Sequence, residues 1–129
     1  MDRGKIVDRD RARQIIDFSG LKYGKITPTD IDGMIEYHDK GYIIYETKYD
    51  GAVMPRGQEL ALERISNELK KPSIIIVSDH NHPIDEDIDI ANSLVRKIFY
   101  AGKWNEKHSG MTVKEVTDKF INYLDEFGG

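Results

Sequence analysis

Residues 42–58 read YIIYETKYDGAVMPRGQ, an apolar run that ends in an acid and a base before Gly, Pro and Gly interrupt it. Because residues two apart on a strand point the same way, Glu46 and Lys48 would share one face with Ile44. The segment that follows has the composition of a turn, and Gln58 stands at the start of the next helical pattern. The stretch therefore predicts a buried strand with a charged end, over which the following helix returns.

The residues before this stretch predict its neighbour in a sheet. Asp30–Tyr37 has strand character, and the polar, glycine-containing segment 38–41 forms a turn before the strand Tyr42–Tyr49. Two strands joined by so short a loop are expected to pair antiparallel, as a hairpin. Further upstream, apolar residues on one side of Asp8–Phe18 predict a first helix that stops near Ser19–Gly20.

The residues after the hairpin predict a helix that leads into a second buried strand. The helix spans Arg56–Lys70 and ends before Pro72. A continuous β-branched run follows at Ser73–Ser78, the pattern of a strand covered on both faces. Because a helix separates the two buried strands, we expect a crossover connection between them. The apolar stripe of this helix consists of Leu62, Ile65 and Leu69.

The last third of the chain predicts a polar loop, a strand over Ser93–Tyr100, a connector at residues 101–110 and a final helix over Thr112–Phe127. The helix opens with a capping box, in which the side chains of Thr112 and Glu115 would each bond the other's main-chain amide. Its apolar stripe consists of Val116, Phe120, Tyr123 and Phe127.

The order of the predicted elements and the composition together limit the class of protein. The order of elements predicts one α/β domain over residues 1–129, with a mixed central sheet flanked by helices. The sequence has no cysteine, which excludes disulfides, thiolate metal sites and a cysteine nucleophile. No apolar run approaches the ~20 residues of a membrane span, and the first residues do not resemble a secretory signal. We therefore expect a cytoplasmic protein with no membrane partner.

The net charge is −4, but the charged residues are distributed unevenly along the sequence. Residues 1–25 hold seven basic residues and four aspartates, whereas residues 79–92 hold five acids and no lysine or arginine. A basic arm of this kind could meet nucleic-acid phosphates while the acidic segment faces elsewhere. Two differently charged, solvated surfaces are the alternative interpretation.

Acidic side chains of the predicted hairpin could converge near Lys48. Asp32 lies on the earlier strand and Glu46 on the later one, and a suitable register would bring their carboxylates together at the open end. Carboxylates this close repel unless a cation lies between them, and Mg²⁺ suits oxygen ligands. Asp30 points the same way as Asp32 and competes for that role. The alternative is an ordinary surface pair of Glu46 and Lys48, worth under ~1 kcal/mol.

The acidic strand, the apolar run that closes in ETK and the helix opened by RGQ together resemble the PD-(D/E)XK nuclease superfamily. The resemblance implies a restriction-endonuclease-like fold, a mixed sheet with an α-β-β-β-α-β core order. It implies that Asp32 and Glu46 bind Mg²⁺ or Mn²⁺, with the carbonyl of Thr47 as a further ligand. It also implies that Lys48 is the catalytic lysine and that Gln58 supports it.

Three features depart from the pattern of that superfamily. The proline that names the motif does not adjoin Asp32, although Pro28 lies four residues earlier. Members often have a glutamate on the first helix, whereas the predicted first helix here has none. Asp8 is the substitute that the helix face favours, and the alternative is that it is the N-cap of that helix. Leu62 stands where members with the glutamine often have tyrosine.

The resemblance implies a metal-dependent nuclease that hydrolyses phosphodiester bonds in DNA. A domain this small has little room to read sequence, so we expect structure-selective or nonspecific cleavage. The resemblance also implies a phage-like enzyme, and a homodimer stays open. The alternative is a catalytically inactive nuclease-fold protein that acts as a nucleic-acid-binding or protein-interaction module. A third interpretation is an unrelated α/β protein in which the E-x-K spacing is incidental.

Other residues are weaker candidates for the site. His80 and His82 could lie at its rim, although a solvated loop explains them better. Arg56 could hold a phosphate at the start of a helix, or be an ordinary surface arginine. Aromatic residues that could stack on bases, or simply belong to the core, are Tyr23, Tyr37, Tyr42, Tyr45, Tyr49 and Trp104.

Overall fold

A computed structural model describes residues 17–84 and 86–127, which form a five-stranded mixed sheet with a helix on each face. The strands, which lie side by side in chain order, are β1 (Gly33–Tyr37), β2 (Gly41–Tyr49), β3 (Ser73–His80), β4 (Leu94–Tyr100) and β5 (Lys103–Asn105). The helices are α1 (Arg56–Glu68) and α2 (Val113–Phe127). Strands β2 and β3 are parallel and the other neighbours antiparallel, so the predicted α/β class and mixed sheet are confirmed.

The predicted hairpin of β1 and β2 is confirmed, but its first strand begins later than expected. Pairing starts at Gly33 rather than at Asp30. The register sets Gly33 opposite Tyr45, so a continued ladder would set Asp32 directly opposite Glu46. Like charges directly opposite each other destabilise a sheet, which gives a physical reason for the early end of the pairing.

Helix α1 is the predicted crossover between the parallel strands β2 and β3. It ends at Glu68, slightly before the predicted end. Leu62 is fully buried, but Ile65 is 43% exposed, so the predicted apolar stripe is wrong at that position. The reason is that Glu59 and Glu63 turn toward the sheet to bond residues of β4 and β5, which rotates the buried face of the helix away from Ile65.

Alternate residues of the central strands fill two apolar clusters, one on each face of the sheet. The cluster under α2 includes Ile43, Tyr45, Ile74, Ile76, Val116, Phe120 and Leu124. The cluster under α1 consists of Ile44, Met54, Leu62, Ile75, Val77 and Phe99, with Trp104 packed against it. Strands β2 and β3 are thus both covered on both faces, as the β-branched sequence of β3 predicts for that strand.

Gly41 begins β2 at a point where α2 comes close. A Cβ atom on this residue would lie 2.8 Å from the Leu124 side chain and 2.8 Å from the carbonyl oxygen of Pro72. Both distances are shorter than carbon and oxygen atoms tolerate, so the close packing of α2 on the sheet requires glycine here.

Two elements near the C-terminal end differ from expectation. The predicted connector contains the short strand β5, because Ala101 and Gly102 adopt φ angles of 53° and 80° and turn the chain back on β4. In α2, Leu124 is fully buried while Phe127 is 73% exposed, so the predicted stripe ends one turn too late.

The predicted capping box of α2 is confirmed. The Thr112 hydroxyl accepts a hydrogen bond from the Glu115 amide at 3.1 Å, and the Glu115 carboxylate accepts one from the Thr112 amide at 3.0 Å. The helix therefore begins at Val113, directly after its capping residue.

The first helix, predicted over Asp8–Phe18, lies outside the described residues except for Asp17 and Phe18, which precede a 3-10 turn at Ser19–Leu21. Asp8 and most of the basic arm also lie outside them. Within the described residues, two strands precede α1, whereas the nuclease resemblance implies three. In this part of the chain, no helix is both long and apolar enough to cross a membrane.

Candidate active site

Glu46 is a buried acid on the face of the sheet that α1 covers. It follows Ile44 along β2 and pairs with Val77 of β3, and both neighbours belong to the apolar cluster on that face. The Glu46 side chain is 3% exposed, and its Oε2 atom has no hydrogen-bond partner within residues 17–84 and 86–127. A buried carboxylate oxygen in this condition costs free energy, so packing does not explain an acid at this position.

Lys48 lies between Glu46 and the first turn of α1. Its Nζ atom is 3.3 Å from Glu46 Oε1 and donates a hydrogen bond to Gln58 Oε1 at 2.8 Å. The crossover thus brings Gln58 back over the end of β2, in the direction that the sequence predicts. The Lys48 side chain is only 17% exposed, and these two contacts fix where its ammonium group points.

Asp32 reaches the same end of the hairpin from the opposite strand. Its Oδ2 atom accepts a hydrogen bond from the main-chain amide of Thr47 at 2.8 Å. The register of β1 and β2 directs it to the same side of the sheet as Glu46. Asp30 is exposed. Asp32 is the acid whose charge acts on Glu46.

The pKa of Glu46 is raised above its ordinary value. Burial is the largest cause, and repulsion from the Asp32 carboxylate is the second. The ammonium group of Lys48 and the side chain of Gln58 act in the opposite direction, but they do not outweigh the first two causes. A bound cation would reverse the balance, because it would compensate both carboxylates at once.

The candidate ligands for a hard divalent cation are oxygen atoms: the Asp32 carboxylate, the Glu46 Oε2 atom and the main-chain carbonyl of Thr47. Mg²⁺ is commonly held by one or two carboxylates with water in the remaining positions. Among residues 17–84 and 86–127, there is no cluster of three or more His, Asp or Glu side chains that could hold a metal ion. A metal site here would therefore have two side-chain ligands, Asp32 and Glu46.

Arg56 is engaged by acids of its own helix. Its guanidinium group pairs with Glu59 and lies 3.2 Å from Glu63. The same two acids bind the sheet, since Lys97 Nζ is 2.6 Å from Glu59 Oε2 and Trp104 Nε1 donates to Glu63 Oε1 at 2.8 Å. The phosphate role predicted for Arg56 would require it to leave these partners, and we regard it as part of this network.

His80 and His82 lie at the end of β3, beyond the residues described above. Their rings stack with centroids 6.0 Å apart, and His82 Nδ1 is 3.2 Å from a Glu86 carboxylate oxygen. Pairing of Tyr49 with His80 places His80 at the same end of the strands as Lys48. By strand alternation His80 lies on the face of α2, whereas Lys48 and Glu46 lie on the face of α1, so this pairing does not bring His80 beside Lys48.

The structure shows which of the candidate aromatic side chains are buried and which are exposed, a distinction that the sequence could not make. Tyr45 is buried and its hydroxyl bonds Thr117, and Trp104 packs on Phe99. The most exposed rings among the candidates are those of Tyr23, at 68%, and Tyr49, at 58%.

Sequence reasoning misses a second acid–base pair beside Lys48. Asp79 pairs in register with Lys48 on the neighbouring strand, and its carboxylate binds Arg96 through both oxygens. The sequence predicts a polar loop at Asp79, but β3 continues to His80 because its partner β2 runs to Tyr49. The one available signal is the position of Asp79 directly after a buried strand.

Comparison with family models, with curated proteins and with solved structures found no match for the chain.

Proposed function

We propose that this chain is a metal-dependent nuclease that hydrolyses phosphodiester bonds in DNA, with a restriction-endonuclease-like fold. The observation that carries the proposal is the meeting of Asp32, Glu46, Lys48 and Gln58 at one end of a hairpin, with a buried Glu46 oxygen that has no hydrogen-bond partner in the described residues. An ordinary surface ion pair between Glu46 and Lys48 would not require a buried carboxylate.

The residues divide the work by their chemistry. Asp32, Glu46 and the carbonyl of Thr47 would hold Mg²⁺ or Mn²⁺. When bound, such an ion polarises a phosphodiester and makes its bound water a stronger nucleophile. Lys48 would orient the attacking water or stabilise negative charge that develops on the phosphate. In the hydrolysis, a water oxygen bonds to phosphorus, the bond to one ester oxygen breaks, and that oxygen leaves with a proton.

Gln58 acts on Lys48 rather than on the substrate. Its carbonyl oxygen accepts a hydrogen bond from the Lys48 ammonium group at 2.8 Å. Because the side chain of lysine has four rotatable bonds, this contact restricts where its charge lies. We infer that Gln58 is a positioning residue.

A second function is favoured by one observation. The contact of 3.3 Å between Lys48 and Glu46 already compensates part of the buried negative charge. A catalytically inactive nuclease-fold protein, serving as a nucleic-acid-binding or protein-interaction module, would keep such a pair without a metal ion.

Cleavage assays distinguish the two functions. Single-stranded, duplex and branched DNA would be incubated with the protein in Mg²⁺, in Mn²⁺ and in EDTA. If the chain is a nuclease, we expect cleavage that EDTA abolishes and that Lys48→Ala slows by roughly 10²–10³-fold. Lys70→Ala, at an exposed lysine beyond the end of α1, serves as the matched control and should cleave as the wild type does. Binding without metal-dependent cleavage would leave only the module.

A further inference from the structure

We infer that Arg96 is a positioning residue for the site, because it occupies the Asp79 carboxylate that would otherwise draw the ammonium group of Lys48 away from Glu46 and Gln58. This inference deepens the proposed function and rests on the role given there to Lys48. It follows from the register of β2 and β3 and from an irregularity in β4.

Asp79 is the acid next to Lys48 on the sheet. The two residues pair in register across the parallel strands β2 and β3, so their side chains leave the same face of the sheet. Neighbouring strands lie about 4.8 Å apart, a distance that a lysine side chain spans easily. The Lys48 ammonium group nevertheless contacts Glu46 and Gln58.

The contacts of Arg96 explain why the Lys48 ammonium group does not bind Asp79. Its Nε atom donates to Asp79 Oδ2 at 3.0 Å and one of its terminal nitrogens binds Asp79 Oδ1, so both carboxylate oxygens face one guanidinium group. Asp79 Oδ1 also accepts a hydrogen bond from the Gly51 amide at 3.0 Å. Two-pronged pairs of this kind are the strongest form of side-chain hydrogen bond, and a single ammonium group cannot match them.

A β-bulge delivers Arg96 to this face. The register passes from Val77 opposite Lys97 to Ser78 opposite Val95, which leaves Arg96 as the extra residue. Strict alternation, counted back from Lys97, would turn Arg96 to the face of α2, whereas the bulge lets both Arg96 and Lys97 bond groups on the face of α1. An irregular strand beside a candidate active site thus places a cation where regular pairing would not.

A purely structural role for Arg96 is the competing explanation. One of its terminal nitrogens also donates to the carbonyl of Ala52 at 2.9 Å, which ties the connection between β2 and α1 to the sheet. Loss of this bond could move Gln58 without any change in what Asp79 binds. The two explanations differ in what a second substitution at Asp79 should do.

The test compares Arg96→Met with the double variant Arg96→Met/Asp79→Asn. In the single variant, the Asp79 carboxylate should capture Lys48, which shifts the side-chain NMR signals of labelled Lys48 and slows metal-dependent DNA cleavage by roughly 10–100-fold. In the double variant, the competing charge is gone, while the amide oxygen introduced at position 79 could still accept from Gly51. The Lys48 signals and the cleavage rate should therefore both return toward wild-type values.

Two further variants complete the test. Lys97→Met, which removes the adjacent base on the same face, should leave the Lys48 signals in place. Arg96→Lys keeps a charge for Asp79 and should perturb Lys48 less than Arg96→Met does. Unchanged Lys48 signals in Arg96→Met, or no recovery in the double variant, would overturn the inference. Because the NMR signals are recorded in EDTA without DNA, they decide this point even if the wild type cleaves nothing.

Discussion

Asp32 and Glu46 lie on the same side of the sheet at the point where β1 stops pairing with β2. In place of further ladder bonds, the Asp32 carboxylate accepts the Thr47 amide at 2.8 Å, and its charge helps to raise the pKa of Glu46. Asp32 directly precedes β1 and Glu46 lies on β2, and the tight turn between the two strands brings these acids to the same end of the hairpin. Their proximity is the feature on which a shared cation depends.

The first prediction concerns the dependence of stability on pH. Burial and Asp32 raise the pKa of Glu46 in the folded protein above the ordinary value of 4.5. The stabilising effect of protonated Glu46 is therefore complete below about pH 4.5 and is lost as the pH rises through the folded-state pKa. Glu46→Gln carries no such loss, so in EDTA its stability relative to the wild type should be greater at pH 8 than at pH 4.

Chemical denaturation from pH 4 to pH 8 measures this difference. The gap between the two proteins should close toward the acid end. Addition of Mg²⁺ should raise the stability of the wild type and not that of Glu46→Gln, because only a protein that binds the ion gains from it. A gap that stays constant from pH 4 to pH 8 would show that Glu46 is not under electrostatic stress.

The second prediction separates the two neighbouring aspartates. Asp32→Asn should weaken Mn²⁺ binding by at least about tenfold, because it removes one of two carboxylate ligands. Asn can still accept the Thr47 hydrogen bond, so the hairpin should stay intact. Paramagnetic broadening of the NMR signals of Glu46 and Lys48 reports the binding. Asp30→Asn is the control, and equal weakening by it would contradict the choice of Asp32 as the ligand.

The third prediction concerns Gln58. Gln58→Leu should release the Lys48 ammonium group and lower kcat for DNA cleavage about tenfold or more, with little change in KM. Asn67→Leu changes an amide that is exposed on the same helix and should have no such effect. A rise in KM with unchanged kcat would instead mean that Gln58 contacts the DNA.

The fourth prediction tests the packing of α2. Gly41→Ala should destabilise the fold by about 1–3 kcal/mol, because its Cβ would lie 2.8 Å from Leu124 and from the Pro72 carbonyl oxygen. Gly57→Ala places a methyl group in α1 with nothing within 4 Å, and should be neutral or stabilise by up to about 1 kcal/mol. Thermal unfolding of both variants provides the comparison, and similar effects at the two sites would contradict it.

Features with a short-range cause were predictable from the sequence. The two-residue period of a strand placed Glu46 and Lys48 on one face, and the capping box marked the start of α2 within a few residues. The direction in which Gln58 points followed from the period of a helix. Each of these depends on neighbours that the local sequence displays.

Features with a long-range cause were not predictable. The bulge that turns Arg96 toward Asp79 exists only because β3 and β4 pair with a shift, and the sequence does not show that register. Strand β5 depends on a positive φ at Ala101, a residue that carries no turn signal. The late start of β1 reflects repulsion between Asp32 and Glu46, which appears only once the hairpin has formed.

The hydrogen bond from Trp104 to Glu63 gives the protein a built-in optical probe. Trp104 is the single tryptophan of the sequence, and it joins the edge strand β5 to the helix that carries Gln58. Indole emission responds to the polarity and hydrogen bonding around the ring. A tilt of α1 away from the sheet would therefore change the wavelength of maximum emission and the quantum yield of Trp104. The binding of metal ions or DNA to the unlabelled protein could thus be followed in real time through the fluorescence of Trp104, which lies outside the candidate active site.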